Sequence, residues 1–472
     1  MSETLTLRDP AGILLNWQGR LIRVIRPESR AAFESVKKSA TLQTFMEQGR
    51  VVGFSSLDEA TRRRVLEQLS FSDKSVAVEQ PRVWFPSFPY EWPAEMLHAA
   101  ADLTLELAEK LAEEGMGIKD ATPFNVLYEG PEPVFVDLLS FENRDPLESG
   151  WQAFGQFLRC FLYPLLAHRH LHMPQSAFFL TRRDGMEAAE IYPNLKWRQR
   201  LAPGVFSTLT LPALLNQWSG ERSLDDTAMY LPKRRSNPEL ARFVFKGTLR
   251  YLRRHLNKLR PAQKTSSWSG YMEGFYSYTP PELAAKISVV KQFLGQQAPG
   301  RVLDIGCNTG HFSFLASEMG SQVVALDSDP AVVAQVWRTA RERKSSVLPL
   351  VVNIARPTPA VGWMNCENAS FLQRANGAFD GVMLLAVMHH LLVSEGIPLS
   401  EILRMAKMLA KRWVIFEFID PRDRAFKNLC RGRDFSHVTR DEFERLAQTH
   451  FAIDACVRLE GADRWIYRLR TL

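Results

Sequence analysis

The stretch VLDIGCNTGHFSFLA places Asp304, Gly306, Asn308 and Gly310 between an apolar run and a helix-forming one. Glycine lets the backbone approach a bound nucleoside closely, and the start of the following helix offers unpaired amide donors. About 20 residues further on, Asp327 ends a second apolar run, VVALD, where a carboxylate can accept hydrogen bonds from both ribose hydroxyls. The glycines alone could mark no more than a tight turn, but the acid in step with them points to nucleoside binding.

Other residues could carry chemistry. GIKDATPFNVLY and VFVDLLSF supply Asp120, Asn125 and Asp137, whose side-chain oxygens could place a divalent cation such as Mg2+. LAVMHHLL offers His389 and His390 as general bases, since neutral imidazole titrates near neutral pH. The plainer role for these two is packing beneath a ligand and capping a turn. Glu417 and Asp420 close a later apolar run and are further candidates. In AHRHLH, only His168 and His172 share a helix face and neither has a nearby carboxylate or cysteine, so structural or exposed histidines are expected.

The elements around the first motif follow one rhythm. RVLDIG, QVVALD, VLPLVV, FDGVMLLAV and RWVIFEF read as strands separated by helices, and IDACVRLE and RWIYRLR follow with no helix between them. This predicts a doubly wound α/β sheet ending in an antiparallel strand pair. The N-terminal half reads as α+β: a hairpin in GILLNWQGRLIRVI, helices over AAFESVKKSATLQTFMEQG and WPAEMLHAAADLTLELAEKLAEEG, a strand in PVFVDLLSF and a buried helix in WQAFGQFLRCFLYPLLAHRHLH.

These residues resemble the class I S-adenosylmethionine-dependent methyltransferases over roughly 266–472, in the D-x-G-x-x-x-G motif, the acid after the second strand and the terminal strand pair. The resemblance implies that the loop from Asp304 to Gly310 contacts the amino-acid part of the cofactor and Asp327 its ribose, with Asn353 or Ile354 near the adenine. A G-x-G-x-x-G dinucleotide fingerprint fails at Asn308. LAVMHHLL is neither N-P-P-Y nor D-P-P-Y and there is no Pro-Cys pair, leaving oxygen or a less common nitrogen as the acceptor of an unidentified substrate. The whole chain resembles a bacterial two-part group of methyltransferases labelled host-specific nodulation proteins, through PYEWPAEML, KDATPFNV, VFVDLLSF, VLDIGCNTG, LAVMHHLL and FEFIDPRD in that order.

The N-terminal half resembles the loop of protein kinases and aminoglycoside phosphotransferases, but only at Asp120, Asn125 and Asp137. Ile118 and Lys119 precede the first Asp, Leu138 and Leu139 follow the last, no glycine-rich phosphate loop stands upstream, and Arg23 lies where a lysine is wanted. An arginine grips phosphate through a planar fork and is no substitute for a point charge. A kinase-like architecture without phosphoryl transfer is the expectation. Alternatives are an ATP-dependent phosphotransferase or ATP-binding pseudokinase fused to a methyltransferase, and a polyanion-binding adaptor.

Length and composition set the frame. At 472 residues, 46% hydrophobic and 24% charged, the chain has the make-up of two or three globular domains. The expected division is 1–230 kinase-like or substrate-recruiting, 231–265 basic helix and linker, and 266–472 methyltransferase. No apolar run reaches the roughly 18 residues of a membrane span and the start lacks a signal-peptide pattern, so a cytoplasmic protein is expected. Five scattered cysteines suggest neither disulfides nor zinc. Between Lys233 and Lys264 stand eleven Lys and Arg against one acid, a local +10 in a chain whose total is +7. In PELARFVFKGTLRYLRRHLNKLRP, Arg242, Lys246, Arg250, Arg253, Arg254 and Lys258 form a stripe, with Leu240, Phe243, Val244, Tyr251, Leu252, Leu256 and Leu259 mostly opposite. Such a stripe suits nucleic acid or an anionic surface, or is simply solvated.

Overall fold

A computed structural model describes residues 2–6, 8–218, 234–263 and 278–472. The expected hairpin forms as β2 (Gly12–Trp17) and β3 (Arg20–Ile25), closed by Gln18 and Gly19, both at positive φ as a two-residue hairpin turn requires. With β1 (Ser2–Thr4), β4 (Ser55–Ser56) and β5 (Val76–Gln80) these strands make an antiparallel sheet in the order β1-β2-β3-β5-β4. The helix expected next is broken into α1 (Arg30–Lys38) and α2 (Ala40–Glu47) at Ser39. That hydroxyl accepts from the Leu42 N–H and donates to Glu114 at 2.6 Å, so side-chain bonding to the backbone interrupts the helical period.

After α3 (Glu59–Gln68), the chain enters α4 (Ala94–Leu111), buried along most of its length. The short strands β6 (Met116–Ile118), β7 (Val126–Glu129), β8 (Glu132–Phe135) and β9 (Phe141–Asn143) carry Asp120, Asn125 and Asp137 on the turns between them. The helix over 154–171 contains a π-helical turn, Leu158–Leu162, just before Pro164. Proline lacks the N–H and crowds the carbonyl four residues back, which the wider turn accommodates.

The basic helix Pro238–Lys258 is no free connector: it packs on α4 through Phe245, Leu249, Leu252 and Leu256. Arg253 leaves the expected stripe to pair with Asp102 and, at 2.9 Å, Glu109 of α4. Leu240 and Phe243, expected on the buried side, are exposed, because the helical turn carries them round to the face opposite Phe245 and Leu252. Lys233, Lys264 and the expected 265/266 boundary fall outside the described residues.

The C-terminal sheet has strands β10 (Arg301–Ile305), β11 (Gln322–Asp327), β12 (Val347–Val351), β13 (Phe379–Leu384), β14 (Ala410–Ile419), β15 (Phe451–Arg458) and β16 (Arg464–Thr471). Their order is β12-β11-β10-β13-β14-β16-β15, parallel as far as β14 and antiparallel from β14 to β16 and β16 to β15. Strand order reverses between β10 and β13, which opens a crevice beyond their carboxyl ends.

The two halves share a core. Trp84 and Phe85 meet Phe371 and Phe379 with ring centroids 5.4 to 5.9 Å apart. Glu91, fully buried, pairs with the nearly buried Arg374 and accepts from Thr358 at 2.5 Å. Trp337 donates to the Pro131 carbonyl at 2.9 Å, and Arg338 pairs with Glu95 at 2.8 Å.

Candidate active site

A cavity of about 280 Å³ opens at the crevice. Asp304, at the end of β10, is buried and accepts from Ser313 at 2.6 Å, and burial pushes its carboxyl up to about 6. The loop beyond it needs left-handed backbone at Gly306 (φ +72°), Asn308 (φ 50°) and Gly310 (φ +84°). A Cβ on Gly306 would lie 2.3 Å from Val387 Cγ2, so the loop can lie this close to the β13 turn only with glycine there. Asn308 tolerates its geometry through its own side chain, which accepts from the Thr309 N–H at 2.7 Å.

Asp327 ends β11 facing the cavity. One oxygen accepts from the Asn308 N–H at 3.0 Å, tying the acid to the glycine loop, and the other accepts from the Asp329 N–H at 3.0 Å. Burial raises its pKa, and these backbone bonds oppose the rise. Asn353 and Ile354 line the same cavity just past β12, with the Asn353 side chain held by the Ala355 N–H at 2.9 Å.

The histidine pair divides. His390 lines the cavity and opens a π-helical turn, His390–Ser394. His389 points into the protein, 2% exposed, against Phe426, and its Nδ1 has no hydrogen-bond partner. Burial holds both imidazoles below their ordinary pKa, His389 well below, so His390 presents a neutral ring to the cavity at neutral pH.

Tyr278 and Lys286 are among the cavity residues that escaped the sequence reading. They reach the cavity from the helix Pro280–Gly295 and its approach. Lys286 is buried, donating to Glu417 at 2.7 Å and to the Tyr278 hydroxyl at 2.8 Å, while that hydroxyl donates to Glu417 at 2.8 Å. Burial lowers the Lys286 pKa against the pull of Glu417. In Glu417, burial acts upward, but Lys286, Arg464 and the two hydrogen bonds outweigh it and hold the carboxyl below its ordinary value. Glu417 is thus a buried charge partner behind the cavity wall. Asp420 lies apart, paired with Arg422 at 2.9 Å. The lone lysine in LAAKIS carried no motif, and only its helical register beneath the sheet reveals it.

The other cluster lies in the N-terminal half. Ser140 donates to Asp137 at 2.6 Å and accepts from Asn125 at 2.9 Å, and Arg23, 3% exposed on β3, pairs with Asp137 at 3.2 Å. Asp120 stands nearby with its pKa raised by burial, Lys119 opposing and Asp137 and Asp9 adding. Among the described residues, no group of three or more His, Cys, Asp or Glu is arranged to hold a metal ion.

Residues 276–451 match the family model described as a methyltransferase domain. The C-terminal half is a class I methyltransferase domain. Its chemistry is methyl transfer from S-adenosylmethionine to an unidentified acceptor. Over nearly its whole length the chain is similar to nodulation protein NoeA of Rhizobium meliloti (strain 1021), with 28% identity over 468 residues, 98% of this chain and 94% of the relative. Similar solved structures include the N-methyltransferase NodS from Bradyrhizobium japonicum WM9, with TM-score 0.30, 14% identity, and coverage of 41% of this chain and 97% of that one. Another is the magnesium protoporphyrin IX methyltransferase of Synechocystis PCC 6803 with bound S-adenosylmethionine, with TM-score 0.30, 17% identity, and coverage of 43% and 90%. Among the described residues no helix is long and apolar enough to cross a membrane.

Proposed function

We propose that S-adenosylmethionine occupies the 280 Å³ cavity and that the methyl acceptor is an oxygen or nitrogen nucleophile whose proton passes to His390. The supporting observation is that Asp327, the Asn308 loop and Asn353 line the cavity that also holds His390. The residues suit the cofactor: each Asp327 oxygen accepts one backbone N–H, and a carboxylate oxygen can accept two, so lone pairs remain for a ribose diol. When bound, the cofactor supplies an electrophilic methyl group on a positively charged sulfur. Gly306 lets the loop backbone close on the amino-acid end, and Asn353 and Ile354 flank the adenine. His390, neutral in its buried setting, is ready to accept a proton, while His389 supports it from beneath as a positioning residue. Labelled S-adenosylmethionine incubated with the full chain and a cell extract tests this. His390→Gln should bind the cofactor as tightly as wild type by calorimetry and lose transfer; undiminished transfer assigns proton removal elsewhere.

A second reading concerns the N-terminal half, for which we keep 1–230 as a kinase-like or substrate-recruiting unit, 231–265 as basic helix and linker, and 266–472 as the methyltransferase. The β1-β2-β3-β5-β4 sheet ahead of α4 and the Asp120, Asn125 and Asp137 turns favours kinase-like descent. Arg23 argues against turnover, because its guanidinium holds the Asp137 oxygen that a divalent cation such as Mg2+ would need. Incubation with labelled ATP, magnesium and extract should give no transfer above background. Transfer abolished by Asp137→Ala would make this half a working phosphotransferase.

A further inference from the structure

We propose that the surface built from residues 196–211 and the outer face of the basic helix docks the protein on an anionic lipid bilayer. Nine large apolar side chains stand out as exposed among the described residues, and six of them fall between Trp197 and Phe243. Trp197 is 66% exposed and Leu201 60%, one helical turn apart, and Phe206 and Leu211 follow at 40% and 43%. The Thr210 hydroxyl donates to the Arg200 carbonyl at 2.9 Å, which brings the chain just before Leu211 back to the chain just before Leu201.

This apolar patch continues into the basic helix. Ser207, next to Phe206, meets His255 at 3.2 Å, and Gln199 meets His170 at 3.4 Å while its neighbour Arg169 bonds the Lys258 carbonyl. From there the outer face of the helix runs through Lys258, Arg254, Arg250 and Phe243, spaced four or seven residues apart and all exposed. Lys196 and Arg198, also exposed, flank Trp197.

Exposed Trp, Leu and Phe rimmed by Lys and Arg is the composition of an interfacial surface: the apolar groups enter the acyl boundary while the cations meet lipid phosphates. A nucleic acid would use the cations and stack on Trp and Phe, but has no use for a leucine such as Leu201. A second copy of the chain would bring like charges together across the patch. A bilayer bearing acidic headgroups satisfies both features.

The test is co-sedimentation of the full chain with phosphatidylglycerol–phosphatidylcholine vesicles and with phosphatidylcholine alone, at about 0.1 M and 0.5 M salt. Binding to the anionic vesicles should fall at the higher salt and be at least about tenfold weaker to phosphatidylcholine. The Trp197→Ser/Leu201→Ser/Phe206→Ser variant and the separate Lys196→Glu/Arg198→Glu variant should each lose about tenfold or more while keeping the wild-type melting temperature. Because three polar changes could disturb folding, Trp197→Phe gives an independent reading: it should still bind, and quenching of tryptophan by brominated lipid should drop. Absence of vesicle binding at low salt overturns the proposal, as does equal binding to neutral lipid or unaffected binding in both variants. Salt-sensitive RNA binding, or self-association lost in the triple variant, without vesicle binding would assign the surface to those partners instead.

Discussion

At the scale of single residues, the site depends on carboxylates that each do two things. Asp327 holds the glycine loop through the Asn308 N–H and faces the cavity, so Asp327→Ala should weaken S-adenosylmethionine binding by about 1.5–3 kcal/mol, the scale of hydrogen bonds to a charged group. Titration calorimetry measures this, and unchanged affinity would remove Asp327 from the ribose. Glu417 is buried with Lys286 as its closest cation and Arg464 farther off at 3.7 Å, so Lys286→Met leaves the carboxylate under-paired and should cost about 3 kcal/mol in urea unfolding. The double change Lys286→Met/Glu417→Leu should recover much of that loss, since removing both charges also removes both desolvation penalties. His389 gives a pH signature. Its folded pKa lies well below the ordinary value, so as pH falls below about 6.5 the unfolded chain takes up a proton the folded chain refuses, and stability drops. Asp304 acts with the opposite sign: its pKa, raised to about 6, makes the folded state bind more protons than the unfolded one down toward pH 4 or so. His389→Leu should therefore flatten the acid side of the stability profile, measured by urea midpoints from about pH 8 to 5. A profile parallel to wild type would show that His389 titrates normally.

At the scale of elements, the glycine loop is set by backbone conformation as much as by contacts. Gly306→Ala places a Cβ at φ +72° and 2.3 Å from Val387 Cγ2, combining a left-handed cost of about 1–2 kcal/mol with a collision. Adding Val387→Ala should relieve only the collision, so cofactor affinity measured by calorimetry should return in part. Full recovery would mean that the left-handed backbone costs nothing here. This loop was legible in the sequence because glycine spacing and a strand-end acid reflect local backbone geometry, and the strands from Arg301 onward were legible because each is a short apolar run between helical periods. What escaped was set by distant partners. Ser39 breaks a helix because Glu114 takes its hydroxyl, and Lys286 becomes a site residue because Glu417 lies beneath it. The basic helix shows both at once: its cations were plain, but which apolar side chains it buries was decided by α4. His389 and His390 were found as a pair, and only the turn after β13 separates the one that lines the cavity from the one beneath it.

At the scale of the whole molecule, the seam joins the halves too firmly for the C-terminal half to behave as a tethered, independent enzyme. Glu91 and Arg374 form an ion pair across it at 0% and 5% side-chain exposure, and Phe371 and Phe379, at 0%, bury against Trp84 and Phe85 from the other half. Surfaces this apolar, once exposed, destabilise a fragment and invite aggregation. The methyltransferase residues 278–472 expressed alone should melt lower than the full chain, even with the whole cofactor cavity inside them. Removing one partner of the buried pair has a related consequence: Arg374→Met leaves Glu91 charged and unpaired and should lower stability by about 3–5 kcal/mol. Scanning calorimetry distinguishes a shared core from a loose join, because a shared core couples the halves into one transition that Arg374→Met shifts as a unit. Two separate transitions in the wild-type chain, with only one of them moved by Arg374→Met, would show instead that the halves fold independently and that the seam is a docking contact.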